Sequence, residues 1–249
     1  MSDVKTIDKQ AFVSEIVKQD YRTAAVFRRY GIAFCCGAHF PLEIACQVNG
    51  HDPDKVLSEL ENAVRNIQVS GALKFNEWEP GFLSDYIVHV HHDFLRTALS
   101  STLGLLKDFT AGHTKKYPWL TELVDLFSGL STEMLNHIRY EEEIIFPYIR
   151  QIRHAYTAGE SYAGLLVRTL SKPVESVMNQ EHQFVMKALT RMRDLTGDYL
   201  VPAGACTSHK VSFLSLQEID QNLIQHLHLE NNILFPKAIQ MEKELRQRN

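Results

Sequence analysis

Two short stretches of this 249-residue chain repeat the same chemistry. His137-Ile-Arg-Tyr-Glu141-Glu-Glu-Ile144-Ile-Phe146-Pro147 aligns with His226-Leu-His-Leu-Glu230-Asn-Asn-Ile233-Leu-Phe235-Pro236, with five identities at a constant offset of 89 residues. A further histidine precedes each copy: His92 by 45 residues and His182 by 44. Residues i and i+4 share a helix face, so His137 with Glu141, and His226 with Glu230, can each reach one centre. A neutral imidazole binds one cation, whereas a carboxylate can bridge two. Four histidines and two glutamates therefore suit a two-metal site with open coordination positions and approximate two-fold symmetry. Bundle-core di-metal sites built on Glu-x-x-His use related parts; here the order is reversed and the spacing one residue wider. Mixed imidazole and carboxylate ligation suits iron, and ligand type alone leaves manganese and zinc open. Two divalent ions facing two carboxylates stay electropositive, which favours an oxo or hydroxo bridge between them.

Hydrophobic periodicity shows where these residues point. Leu216, Ile219, Leu223, His226, Glu230 and Ile233 step by three and four, as an inward seam does. Leu123, Leu126, Leu130, Met134, His137, Glu141 and Ile144 step the same way, as do Val174, Met178, His182, Val185, Leu189 and Met192. The polar candidates thus replace apolar residues within core stripes. Each would cost on the order of 1–3 kcal/mol if buried without a partner, and shared coordination would satisfy all of them.

The first helix is ambiguous, because Val88, His92, Leu95 and Leu99 form one stripe while Ile87, His91, Phe94 and Ala98 form another. The duplicated spacing favours His92, with Asp93 placed for a nearby contact. His113, on the link that follows, reads either as a seventh ligand or as an exposed loop histidine. Glu181, beside His182, reads as an outer support for a ligand or as a surface charge. His228 should face solvent. His39, His51, His89, His154 and His209 have no partner pattern, and Glu142 and Glu143 fall on other faces than Glu141.

The elements that must position these residues are helical. Long amphipathic patterns run over roughly 82–108, 118–152, 172–196 and 209–246, and strand alternation is nearly absent. An all-α four-helix bundle is expected, with an elaborated connection around 153–171. Before it, Phe12, Ile16, Ala24 and Phe27 recur at helical spacing up to a stop at Gly31, and Asp52-Pro53 reads as an N-cap with proline at the first helical position. Gly71 and Pro80 bracket a boundary near residue 77, giving a small helical domain over 1–77 and the bundle over 78–249.

Composition removes other classes. With 26 Lys+Arg against 30 Asp+Glu the net charge is −4, so no broad cationic face for nucleic acid is expected. Neither a signal-peptide run in the first thirty residues nor a membrane-length apolar segment is found. Four cysteines, Cys35, Cys36, Cys46 and Cys206, are too few and too unevenly spaced for a disulfide framework, which favours a reducing compartment. Cys35 and Cys36 are adjacent, so they form no Cys-x-x-Cys zinc pair, and a disulfide between neighbours is strained. They are candidates for thiolate delivery of electrons, iron or nitrosyl groups, with a buried apolar pair as the alternative. Cys46 and Cys206 read as structural.

The His-x-x-x-Glu copies, the second running on as Asn-Asn-Ile-Leu-Phe-Pro, resemble the hemerythrin-like domain of the iron–sulfur cluster repair (RIC) di-iron family. Phe27-Arg28-Arg29-Tyr30-Gly31-Ile-Ala-Phe-Cys35-Cys36-Gly37 is similar to that family's small Cys-Cys domain. The resemblance spans nearly the whole chain. It implies a cytoplasmic bacterial protein, carrying two non-haem iron ions, that helps restore iron–sulfur clusters damaged by nitric oxide or peroxide. The implied ligands are His92, His137, His182 and His226, with Glu141 and Glu230 bridging, and Cys35 and Cys36 match the family's adjacent cysteines. The longer link between the second and third helices departs from the family. Damaged or apo iron–sulfur proteins are the implied partners, with nitric oxide or dioxygen as small ligands. Three functions compete: a repair factor, a nitric oxide-reducing enzyme, and a reversible nitric oxide or oxygen binder or sensor. A Cys-Cys domain argues against simple gas binding, which needs no thiols. Monomer and homodimer both remain open at this level.

Overall fold

A computed structural model describes residues 7–34, 40–64, 73–159 and 174–247, with the side chains of 174–179 left undescribed. Cys35, Cys36 and His39 lie outside the described residues, as do most of the expected 153–171 connection and the side chains of Val174 and Met178. The described residues contain no β-strand; one isolated antiparallel bridge pairs Phe12 with Pro41. None of the described helices is long and apolar enough to cross a membrane.

The chain divides into two compact units. One draws on Met1–Gly71, Ser101–Val124 and Leu195–Glu218, the other on Ala72–Ser100, Asp125–Asp194 and Ile219–Asn249. In the first, four short helices, α1 (Val13–Gln19), α2 (Thr23–Arg29), α3 (Leu42–Val48) and α4 (Pro53–Val64), bury Val13, Ile16, Phe27, Leu42, Val56 and Leu60 in one core with Leu105 and Val211. Gly31 ends α2 with φ +64°, a conformation that costs glycine little, and the Ile32 amide donates back to the Phe27 carbonyl. Asp52 caps α4 as its sequence suggests: its side chain accepts from the Asp54 amide at 2.9 Å, and Pro53 needs no donor in the first turn. Arg28 pairs with Asp108 at 3.1 Å and lies so close to Gly104 that a Cβ there would overlap its guanidinium.

The remaining helices are the short α5 (Pro80–Tyr86) and the longer α6 (Asp93–His113), α7 (Leu120–Tyr140), α8 (Phe146–Ala158), α9 (Val174–Thr196), α10 (Thr207–Leu229) and α11 (Phe235–Gln247). Three π-helical turns join consecutive members: Ile87–His92 between α5 and α6, Glu141–Ile145 between α7 and α8, and Glu230–Leu234 between α10 and α11. So the four long patterns are present, but three are interrupted by wide turns that 3.6-residue periodicity does not anticipate. Two interruptions have a visible cause. Pro147 and Pro236 lack an amide hydrogen, and their rings crowd the carbonyl four residues back, so a regular turn cannot run through them.

In the second unit, Leu83, Ile87, Ile145, Phe146, Ile149, Leu229, Ile233, Leu234 and Phe235 form one core, placing apolar packing directly around all three wide turns. Ile145, Ile233 and Leu234, from two of the turns, are held in that apolar layer. That layer fixes where the turn residues point.

Candidate metal centre

The second unit gathers His92, His137, Glu141, His182, His226 and Glu230 from four helical stretches, every one of them buried. Their donor atoms form two groups, His92–Glu141–His226–Glu230 and His137–Glu141–His182–Glu230, each within 4.8 Å throughout. The two carboxylates are shared. Glu141 turns Oε2 to His92 Nε2 at 3.4 Å and Oε1 to His137 Nε2 at 3.2 Å. Glu230 turns Oε1 to His226 Nε2 at 2.8 Å and Oε2 to His182 Nε2 at 3.5 Å. Each glutamate therefore offers one oxygen to each group.

These residues fit metal ions better than they fit one another. His92 Nε2 lies 3.2 Å from His226 Nε2, and His137 Nε2 lies 3.3 Å from His182 Nε2. Neutral imidazoles that approach through their unprotonated nitrogens repel. Both oxygens of Glu141 and Oε2 of Glu230 are buried without a hydrogen-bond partner among the described residues, which would be costly for carboxylates lacking a cation. Donors about 2.1 Å from one ion and at right angles lie about 3.0 Å apart, close to the spacings seen.

The electrostatics agree. Burial opposes a charged His137, yet Glu141, Glu181 and Glu230 outweigh it and hold the imidazole well above the usual histidine range. His226 is pushed up to about 9, against burial, by Glu230 and Glu141. Burial opposes an ionised Glu141 too, but His137, His226 and His92 keep its carboxyl well below the usual value. The cluster attracts positive charge into an apolar core, and a divalent cation supplies it without a proton.

Outer contacts orient three of the four rings, leaving Nε2 of each free to face the centre. His92 Nδ1 donates to Glu142 Oε1 at 2.8 Å, His137 Nδ1 to Glu181 Oε2 at 2.5 Å, and His182 Nδ1 to Asn231 Oδ1 at 2.9 Å. Glu181 thus braces His137, not its neighbour His182. Glu142 corrects the sequence reading, which put it on an unrelated face: the π turn beginning at Glu141 lets consecutive glutamates both reach inward. Asp93 does not support His92; it pairs instead with Arg96 at 3.0 Å and with His89 at 3.5 Å. Asn231 was not anticipated, although the repeat offset of 89 links it to Glu142.

His91 and His92 are both buried, because the Ile87–His92 turn is wide enough to turn the two inward together, while Val88, Phe94 and Ala98 of the two stripes are half-buried. His92 joins the cluster. His91 stacks on His226 with ring centroids 5.9 Å apart and meets Asn222 Oδ1 at 3.2 Å. Burial, with His226 adding to it, lowers its pKa to about 4. His113 is in neither group: its Nδ1 donates to the Phe109 carbonyl at 2.8 Å, and its Nε2 lies 3.5 Å from Cys206 Sγ. His228 is exposed, bonded to Asn232, and Glu143 is exposed as expected. His209 is buried beside Phe109 and Phe213, and Cys46 lies in the core of the first unit.

Comparison with known proteins places this geometry. Residues 84–238 match the hemerythrin HHE cation binding domain, and residues 9–64 match ScdA_N, described as a domain of unknown function (DUF542). The iron-sulfur cluster repair protein ScdA of Staphylococcus epidermidis is 32% identical over 238 residues, covering 93% of this chain and 99% of its own. The iron-sulfur cluster repair protein YtfE of an Enterobacter species is 28% identical, covering 91% and 96%. A probable iron-sulfur cluster repair protein of Haemophilus influenzae is 27% identical, covering 92% and 97%. With its histidines and glutamates gathered in a core that could hold cations and both family models matched, the chain belongs to the ScdA_N–hemerythrin HHE family of the iron-sulfur cluster repair proteins ScdA and YtfE.

Proposed function

We propose that this protein restores damaged iron–sulfur clusters, using two iron ions held by His92, His137, His182 and His226 and shared by Glu141 and Glu230. One observation carries the reading: each shared carboxylate presents one oxygen to each pair of histidines, in a core where three of those four oxygens otherwise lack hydrogen-bond partners among the described residues. The names of relatives aligned along nearly the whole chain support the repair role. Bound there, ferrous iron supplies both a transferable metal and a centre reactive toward nitric oxide.

The chain's own residues perform the remaining tasks. Glu142, Glu181 and Asn231 hold three imidazoles with Nε2 inward, so the donors are set before an ion arrives. Phe146 and Phe235 stack on His92 and His182 and keep water from the ring faces. Cys35 and Cys36, in the 1–77 domain, are assigned the delivery of iron or electrons to the client, and the 78–249 domain holds the centre. The client is an iron–sulfur protein of the cytoplasm damaged by nitric oxide or oxidants.

The test is restoration of a nitric oxide-damaged [4Fe–4S] protein under anaerobic conditions. Ferrous-loaded protein should restore cluster absorbance and client activity, whereas metal-free protein and a Cys35→Ala/Cys36→Ala variant should not. Restoration equal to that given by free ferrous ion at the same concentration would refute the reading.

A further inference from the structure

The sequence repeat suggests two equivalent metal positions, but the residues behind the ligands break that equivalence. Position 142 matches 231 across the repeat, and Glu181 precedes His182 as His91 precedes His92. The chemistry at these matched positions differs. Behind His92 stands the Glu142 carboxylate, whose second oxygen is held by Arg96 at 2.6 Å, and Arg96 is tied to Asp93. Behind His182 stands a neutral amide, Asn231. Behind His137 stands Glu181, 40% exposed and met by no cation among the described residues. His226 has no hydrogen-bond partner at Nδ1 among the described residues, but it is fully buried and stacked on His91.

Access differs in the same sense. A cavity of about 280 Å³ is lined by Met134, His137, Glu181, Phe184 and Val185, and so reaches the ligand that Glu181 supports. The side chains of His137 and His182 are 3% and 4% exposed and those of His92 and His226 0%, so the difference in access lies in the cavity that His137 and Glu181 line.

We propose that the two positions are inequivalent: the ion between His137 and His182 is the exchangeable one, and Glu181 is the positioning residue that governs its release. This rests on the two-iron reading above. A half-exposed carboxylate with a single tether can turn to water and let the His137 ring follow. A carboxylate clamped between His92 and Arg96 cannot do so without breaking two charge-assisted contacts. The position lined by the cavity then serves as the donor site, while the ion between His92 and His226 keeps the core assembled.

The experiment loads the full-length protein anaerobically with ferrous ion, removes the excess and follows release to the chromophoric chelator ferrozine. Release should be biphasic, with one ion fast and one slow. Glu181→Gln should speed the fast phase about 10-fold or more and leave the slow phase unchanged, since loss of such a support costs about 10–100-fold in metal affinity. Glu142→Gln should speed only the slow phase, and Asn231→Asp, which puts a carboxylate behind His182, should slow the fast one. Glu181 and Asn231 are at least partly exposed, so these variants keep the fold, which circular dichroism checks. His182→Ala should abolish the fast phase and His92→Ala the slow one. A single phase for both ions, an effect of Glu181→Gln on the slow phase, or loss of the fast phase in His92→Ala would overturn the proposal while leaving the two-iron reading intact. Fewer than two bound ions in the unaltered protein would overturn both.

Discussion

Truncating Glu230 probes the shared-carboxylate geometry most sharply. Its Oε1 lies 2.8 Å from His226 Nε2 and its Oε2 3.5 Å from His182 Nε2, so Glu230→Ala removes one donor from each group at once. Loss of a residue that merely supports a ligand costs about 10–100-fold in affinity. Loss of the ligand itself should therefore cost each ion at least about 100-fold, or about 2.7 kcal/mol at about 1.4 kcal/mol per decade. For two ions the holo-protein loses about 5 kcal/mol of metal-linked stability when metal is in excess. At about 2–4 °C per kcal/mol for a chain of this size, its melting temperature should fall by about 10–20 °C. The assay pairs iron per chain, measured after gel filtration, with thermal unfolding of loaded and metal-free protein. The metal-free forms separate lost coordination from the cavity left by truncation. His228→Ala is the control, because His228 is exposed and contacts only Asn232 among the hydrogen bonds seen there. A Glu230→Ala protein that keeps two ions and shows the same metal-dependent gain in melting temperature would refute the reasoning.

His182→Ala removes a donor from one group only, so iron per chain should fall from two to one, whereas Glu141→Ala should lower both; equal losses from the two variants would contradict the shared geometry. Gly104→Ala drives a Cβ into the Arg28 guanidinium, the end of a flexible and partly exposed side chain that can swing aside. The lost Arg28–Asp108 pair is then offset by the helix preference for Ala, so urea denaturation should show a stability within about 1 kcal/mol of the unaltered protein. Burial first, with His113 and Lys116 adding to it, lowers the pKa of His209 below its ordinary 6.5. The unfolded chain therefore takes up this proton first as pH falls. The stability from the neutral ring is fully present above about pH 6.5 and is lost as pH drops from there through the folded value. His209→Phe should flatten that part of the stability–pH profile, and an unchanged slope would count against it.

Much of the centre is legible in the sequence because its donors occupy core positions of amphipathic helices. His226 and Glu230 continue the seam of Leu216, Ile219 and Leu223, all buried as their spacing implies. The exact 89-residue repeat then pairs the two halves. What spacing could not supply is the change of phase at the wide turns. A helix read at 3.6 residues per turn buries either His91 or His92, and either Glu141 or Glu142; a π turn brings both members of each pair inward. Pro147 and Pro236 marked two of those turns, but a proline also begins an ordinary new helix, so its meaning depended on the backbone around it. The outer supports were harder still, since Glu142 and Asn231 meet histidines 50 and 49 residues away in sequence. Only the paths of neighbouring helices bring them together.

The most direct test of the centre is anomalous X-ray scattering at the iron edge from crystals of anaerobically loaded protein. Two iron peaks per chain are expected, one between the Nε2 atoms of His92 and His226 and one between those of His137 and His182, both in contact with Glu141 and Glu230. A single peak, or two peaks that share neither carboxylate, would contradict the account.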